Sequence, residues 1–142
     1  MCIRDSNIHN ARMLLSQSIE DIMNTIEKLT TTVIGKDPQK WRNFTSHYSR
    51  VFNASQLDFD RQLNLIIVWL QGANKLRQNL VSGFERTGLH SRMISFNEKF
   101  PNANIYKIIL CIEEVKSLAR QNLYMPLILL NMLLDIQELI YE

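Results

Sequence analysis

The stretch over residues 123–140 constrains the fold of this chain more than any other feature, because it is apolar on nearly every side of a helix. Its polar side chains Asn131, Asp135 and Glu138 are spaced so that they form a single thin stripe along that helix. A helix that is apolar nearly all round must be covered nearly all round. We therefore expect this closing helix to lie at the centre of a bundle or to pack partly against another subunit.

The closing helix also carries signals for its start and for a subunit contact. Asn122 is its predicted N-cap, and Pro126 falls within the first turn, where a missing N–H costs little. Burying a leucine side chain is worth roughly 1.5–3 kcal/mol, so several leucines left in water would favour association. The side chains that we expect to meet a neighbouring subunit are Tyr124, Ile128, Met132 and Ile136.

Composition supports a single all-α domain, a bundle of about five helices. The chain has 142 residues, with 4 glycines and 3 prolines to interrupt helices. Hydrophobic residues make up 46%, enough for a core, and the formal net charge of +2 is too small for strong attraction to nucleic acid or membranes. No apolar run approaches the ~18 residues of a membrane span. Because no signal peptide is visible either, we expect a cytoplasmic protein without a membrane partner.

The first half of the chain predicts two helices. The first ends at Gly35, and Asp37 followed by Pro38 begins the second. The second helix carries an aromatic stripe that could be a base-stacking platform or a bulky core face. The core is favoured, because Arg42 and Arg50 lie off the stripe and stacking platforms stand beside basic residues. The stripe consists of Trp41, Phe44, Tyr48, Val51 and Phe52.

A third helix, from its predicted cap Asp58 to about Val81, is expected at the bundle centre because it is apolar except for one narrow stripe. Residues 82–101 are mixed, with a short helix predicted over 93–100, and Asn104 caps the next long helix. A mild basic bias near the mixed segment favours a solvated surface over a phosphate-binding patch. It comes from Lys75, Arg77, Arg86 and Arg92.

No arrangement of residues supports catalysis, cofactor binding or a metal site. His9, His47 and His90 are scattered, and no cysteine or histidine cluster has metal-ligand spacing. The sequence has neither a glycine-rich phosphate loop nor a nucleophile elbow. Cys111 lies beside Ile112 on an apolar face, whereas a catalytic thiol needs an electropositive, partly exposed setting. We therefore expect Cys111 to belong to the core.

Residues 1–6, MCIRDS, resemble the translated end of a transposon-type sequencing adapter and are left out of the fold prediction. Without Cys2, Cys111 has no cysteine partner, so no intramolecular disulfide is expected. The adapter also implies that the natural start is missing, so we expect this chain to be the C-terminal piece of a longer protein.

Three segments carry family-like motifs in a characteristic order. Residues 7–15 are similar to the end of an AAA+ lid domain, although His9 replaces the usual glycine. Residues 63–79 are similar to a helix with a W-x-R-D-like motif, from which residues 71–72 depart, and residues 119–127 resemble an R-N-x-x-P helix start. Together they resemble the C-terminal collar of a bacterial DNA polymerase III clamp-loader subunit, of the delta-prime type or its gamma/tau relative. The matching positions are Trp69, Leu76, Arg77, Arg120, Asn122 and Pro126.

This resemblance implies that residues 16–142 form a helical collar that assembles with other subunits and performs no catalysis. Collars of this family pack into a ring that holds the loader together while ATP-driven motions open a sliding clamp and place it on primed DNA. The implied partners are the gamma/tau and delta subunits, with DNA and the clamp reached only through the assembled complex. The delta-prime type is favoured because the sequence stops soon after the closing helix.

Two other interpretations stay open. A free-standing helical adaptor or regulatory bundle would share the helices without a role in replication. A helical enzyme or nucleic-acid binder is less favoured. Steeply salt-dependent DNA binding would support the nucleic-acid binder.

Overall fold

A computed structural model of the chain describes residues 20–121 and 123–141, and this part of the chain is helical without strands. The all-α prediction is confirmed. The expectations for residues 1–6 and 7–15 and for the cap Asn122 lie outside the described residues. The helices are α1 (20–34), α2 (Pro38–Ala54), α3 (Gln56–Arg77), α4 (Gly88–Lys99), α5 (Ile105–Leu118) and α6 (Met125–Ile140), with a 3₁₀ turn over Ala119–Gln121 between the last two.

Two predicted helix starts are confirmed by their capping hydrogen bonds. The Asp37 carboxylate accepts from the Gln39 N–H at 3.0 Å, one residue before Pro38 opens α2. Asn104 Oδ1 accepts from the Lys107 N–H at 3.1 Å at the start of α5. Both caps satisfy backbone donors that a helix leaves without an internal partner, which is a local effect that sequence can predict.

The predicted cap of α3 is wrong. Ser55 is the N-cap, and its hydroxyl accepts from the Asp58 N–H at 3.2 Å. Asp58 therefore lies inside the first turn, where its negative charge faces the positive end of the helix dipole. Serine and aspartate are about equally good caps, so cap preference by itself does not separate Ser55 from Asp58.

The helix α3 also ends earlier than predicted, at Arg77 rather than near Val81. Asn79 adopts a left-handed conformation with φ of 59°. The Leu80 N–H then turns back to the Lys75 carbonyl at 2.8 Å, and the Asn79 N–H reaches Leu76 O at 3.1 Å. This is the Schellman arrangement, in which asparagine can replace the usual glycine.

Residues 82–101 are more helical than predicted, because α4 begins at Gly88 with Thr87 as its cap. The preceding turn is tied by Glu85, whose carboxylate accepts from the N–H groups of Ser82 at 2.6 Å and Gly83 at 3.1 Å. Backbone N–H groups, its own first, hold the pKa of this carboxyl below its usual range.

The helix α3 lies at the centre, as predicted, and contacts α2, α4 and α5. The aromatic stripe on α2 faces the core: Phe44 and Tyr48 are buried, and Trp41 and Phe52 are half-buried. Tyr48 also donates its hydroxyl to Gln62 Oε1 at 2.6 Å, which joins α2 to α3, and burial raises its pKa to about 12. A base-stacking role for the stripe is not supported.

Candidate functional site

The outward side of α6 carries a row of apolar side chains that the described part of the chain leaves exposed. Leu127, Leu130 and Leu134 are 54%, 38% and 48% exposed. Their spacing of three and four residues places them on one side of the helix, and we call this set the leucine face. Leu123, just before the helix, is exposed as well. Contiguous exposed apolar side chains on one face are typical of a protein–protein contact.

The predicted interface residues have to be corrected. Met132 and Ile136 are each 1% exposed and belong to the core of this chain, so a neighbouring subunit cannot reach them. Ile128 is half-buried, and Tyr124 is exposed. Met132 and Ile136 lie on the side of α6 opposite its polar stripe, so the stripe itself indicates the outward side. The packing of α6 against α5 and α2 buries the opposite side.

The described residues do not cover α6 all round, so the expected contact with another subunit stays a prediction. The inner side of α6 packs into the bundle, where Gln137 Nε2 donates to the carbonyls of Val33, Ile34 and Gly35 at 2.9–3.1 Å and ties α6 to the end of α1. Its outer side carries the leucine face and the exposed polar stripe. The helix is therefore half inside this bundle and half available to a partner.

Next to the leucine face lies a border of acidic side chains, Glu114, Asp135 and Glu138, which we call the acidic border. On α6 the exposed side chains of Asn131, Asp135 and Glu138 adjoin the leucine face. Asp135 and Glu138 line a shallow cavity of about 330 Å³ between α5 and α6, together with Glu114 and Lys107. Three carboxylates against one ammonium leave this border negative, so a partner that covers the leucine face gains from cations on its rim.

Cys111 lines the same cavity and is half-buried. Burial raises the pKa of its thiol to about 11, and the negative charges of Asp135 and Glu114 act in the same direction. The thiolate, which is the nucleophilic form, is therefore scarce at neutral pH. Cys111 packs against the core, as predicted, although part of its side chain meets solvent.

We expect Cys111 to react slowly with iodoacetamide. With a pKa of about 11, the thiolate fraction at pH 8 is roughly 200-fold lower than for an ordinary cysteine near 8.5. The measurement is the alkylation rate of a Cys2→Ser variant, with a free cysteine peptide as control. A rate close to that of the peptide would contradict the raised pKa.

The family-like positions have structural roles of different kinds. Trp69 is in the core, and Leu76, two turns further along α3, is half-buried against that core. Arg120 is exposed, with its Nη2 4.0 Å from Asp60 Oδ2, and Pro126 lies in the first turn of α6, as predicted. Asn122 lies outside the described residues.

Arg77 is held by three side-chain hydrogen bonds. Its guanidinium donates to Asn97 Oδ1 at 2.7 Å and to the carbonyls of Ala103 and Phe100, both at 2.6 Å. Burial lowers the pKa of this group from its usual value. Arg77 thus fastens the end of α3 to the connection between α4 and α5, a role that depends on acceptors distant in sequence and could not be predicted from local patterns.

Gly72, which departs from the family-like motif, is buried where α3 meets α4. A Cβ added at this position would lie 2.8 Å from Met93 Cε and 3.3 Å from Phe84 Cδ2. The aspartate usual in the motif would therefore not fit here unless Met93 moved.

Among residues 20–121 and 123–141 no group of three or more histidine, cysteine, aspartate or glutamate side chains is placed to hold a metal ion. None of the helices in this part of the chain combines the length and apolar character needed to cross a membrane. Neither a protein-family model, nor a curated protein, nor a solved structure matches the chain.

Proposed function

We propose that this chain is an assembly module: the collar of a bacterial DNA polymerase III clamp-loader subunit of delta-prime type, acting in the cytoplasm. It holds the loader together for sliding-clamp loading and performs no chemistry itself. The single observation that supports an assembly role is the leucine face on a helix whose opposite side is in the core. The resemblance of the helix motifs supports the choice of the clamp loader.

The energetic case rests on the three half-exposed leucines. If complete burial of a leucine is worth roughly 1.5–3 kcal/mol, covering the exposed half of each contributes roughly 1 kcal/mol. A standard interface buries about 800 Å² per partner. The leucine face is therefore the centre of the proposed contact, and Leu123 and the acidic border supply its surroundings.

The proposed partners are the gamma/tau and delta subunits, which would cover the leucine face with an apolar surface. The acidic border of Glu114, Asp135 and Glu138 favours a neighbour with lysine or arginine at the edge of that surface. DNA and the sliding clamp would be reached only through the assembled complex.

Charging the leucine face should abolish assembly. We expect the double variant Leu127→Glu with Leu134→Glu to weaken binding by 100-fold or more, on the order of the loss seen when central interface residues are removed. Both side chains are already about half in water, so the fold should tolerate the change. The measurement is co-expression with gamma/tau and delta subunits followed by sizing chromatography.

The matched control is Leu57→Glu, since Leu57 is 60% exposed on α3, away from the leucine face. This variant should assemble like the unchanged chain. If the unchanged chain elutes separately from gamma/tau and delta, the clamp-loader proposal is wrong, and a free-standing adaptor becomes the better interpretation. If the double variant still assembles, the leucine face is not the contact.

A further inference from the structure

A second surface shares no residue with the leucine face. It is formed by the end of α1, the outer side of α4 and the residue after α6. It is a groove with a cavity volume of about 490 Å³. Three exposed cations line it, and no carboxylate occurs among its described lining residues. We call it the basic groove, defined by Lys36, Arg92, Lys99, Phe96, Phe100 and Tyr141.

The floor of the basic groove is apolar and closed. Trp69, Phe96 and Phe100 line it but are each less than one-tenth exposed. Their rings pack against one another, with centroids 5.5 Å apart for both neighbouring pairs. The exposed ring of Tyr141 meets Phe100 at 5.3 Å and has Lys36 Nζ 3.8 Å from its centroid.

This arrangement selects among anionic ligands. Single-stranded nucleic acids bind by stacking bases on open aromatic faces beside cations. In the basic groove three rings are buried, and Lys36 covers one face of the fourth, so at most one face of one ring is open for a base. A peptide needs no such face, because its carboxylates can meet the cations while its apolar side chains lie on the floor.

Arg92 extends the positive surface beyond the groove. Together with Thr31 it lines both the basic groove and a second cavity of about 750 Å³ between α1 and α2. That second cavity adds Lys28 and Lys40. The two cavities therefore adjoin, and a segment longer than the basic groove would still meet positive charge.

Glu27 is the one carboxylate among the described residues that line the second cavity. Its Oε1 lies 3.1 Å from Arg92 Nη2, and Arg92 also donates to Thr31 Oγ1 at 2.7 Å. Arg92, the cation shared by the two cavities, is thus already paired with a carboxylate of this chain. An incoming carboxylate has to compete with Glu27 for Arg92.

We propose that the basic groove binds an extended acidic segment of a partner protein. The carboxylates of the segment pair with Lys36, Arg92 and Lys99, and its apolar side chains cover the aromatic floor. Glu27 weakens this binding by holding Arg92. The proposal does not depend on the clamp-loader assignment, because the basic groove shares no residue with the leucine face.

The test uses the complete chain and a fluorescein-labelled peptide of alternating glutamate and leucine, followed by fluorescence anisotropy at low salt. Arg92→Glu and Lys99→Glu should each weaken binding about two- to fivefold, the range of exposed charge pairs. Glu27→Gln should strengthen it by a similar factor. The control Arg86→Glu makes the same charge change in the turn before α4, outside both cavities, and should leave binding unchanged. Circular dichroism melting of every variant shows that the fold is kept.

Four results would overturn the proposal. One is the absence of peptide binding at low salt. Another is tighter binding of a single-stranded oligothymidine than of the peptide. A third is equal loss in Arg86→Glu and Lys99→Glu, which would show non-specific charge attraction. The fourth is weaker peptide binding in Glu27→Gln, because removing a carboxylate that competes for Arg92 cannot weaken the binding of the peptide.

Discussion

Replacing Trp69 by alanine is expected to lower the free energy of unfolding by about 3–5 kcal/mol, the usual loss when a large aromatic core side chain is removed. Trp69 is 2% exposed and packs edge-on against Phe96. It lines a small internal cavity with Val33 and Ile136, so removing the indole would open one void shared by α1, α3, α4, α5 and α6. Because domains are stable by only about 5–15 kcal/mol, this change threatens folding itself.

Urea unfolding measures the loss, and Trp69→Phe is the matched control. The indole Nε1 has no hydrogen-bond partner among the described residues. Phenylalanine therefore loses volume but no hydrogen bond, and we expect a cost of about 1–2 kcal/mol. If Trp69→Ala shifted the melting temperature by no more than a degree or two, Trp69 could not have the central position assigned to it.

Replacing Arg77 by methionine is expected to lower the free energy of unfolding by about 2–3 kcal/mol. Hydrogen bonds to charged groups are worth about 1.5–3 kcal/mol each, but at this part-buried site water can replace some of the lost donors. The change leaves Asn97 Oδ1 and the carbonyls of Phe100 and Ala103 without their donor. Methionine keeps most of the aliphatic volume, so the loss reports the hydrogen bonds. Urea unfolding gives the free energy, and faster proteolysis between α4 and α5 locates the damage.

Two variants isolate the geometry of the Arg77 contact. Arg77→Lys keeps the charge, but a single ammonium group cannot reach three acceptors that the planar guanidinium spans, so most of the loss should remain. Lys75→Met removes an exposed cation from the same last turn of α3 and should change stability by less than about 0.5 kcal/mol. Full stability in Arg77→Lys would mean that charge alone matters at this position.

The parts of the fold that could be predicted depend on residues close together in the sequence. The caps Asp37 and Asn104 act on N–H groups two and three residues away, and the central place of α3 followed from its apolar circumference. The start of α3 was missed because Ser55 and Asp58 both fit the same local rule. Its end was missed because Asn79 can take the left-handed conformation but does not have to.

The candidate sites were predicted less well, because they depend on elements far apart in the chain. Of the four residues expected at a subunit contact, Met132 and Ile136 are in the core, whereas Leu127, Leu130 and Leu134 are outside. The sequence predicts one mildly basic, solvated surface that includes Arg77 and Arg92. The structure separates Arg77, which is bonded inside the fold, from Arg92, which joins Lys36 and Lys99 in a groove.

The sequence by itself determined that this chain is helical, roughly where its helices lie and that α6 has more apolar surface than a small bundle needs, since helical periodicity and capping are properties of neighbouring residues. The tertiary structure decided which half of that surface is buried, which cations gather in one groove and what Arg77 holds. Those outcomes depend on how α1, α2, α4 and α5 pack round α3 and α6, and the periodicity of one helix indicates a buried face but not which distant segments meet it.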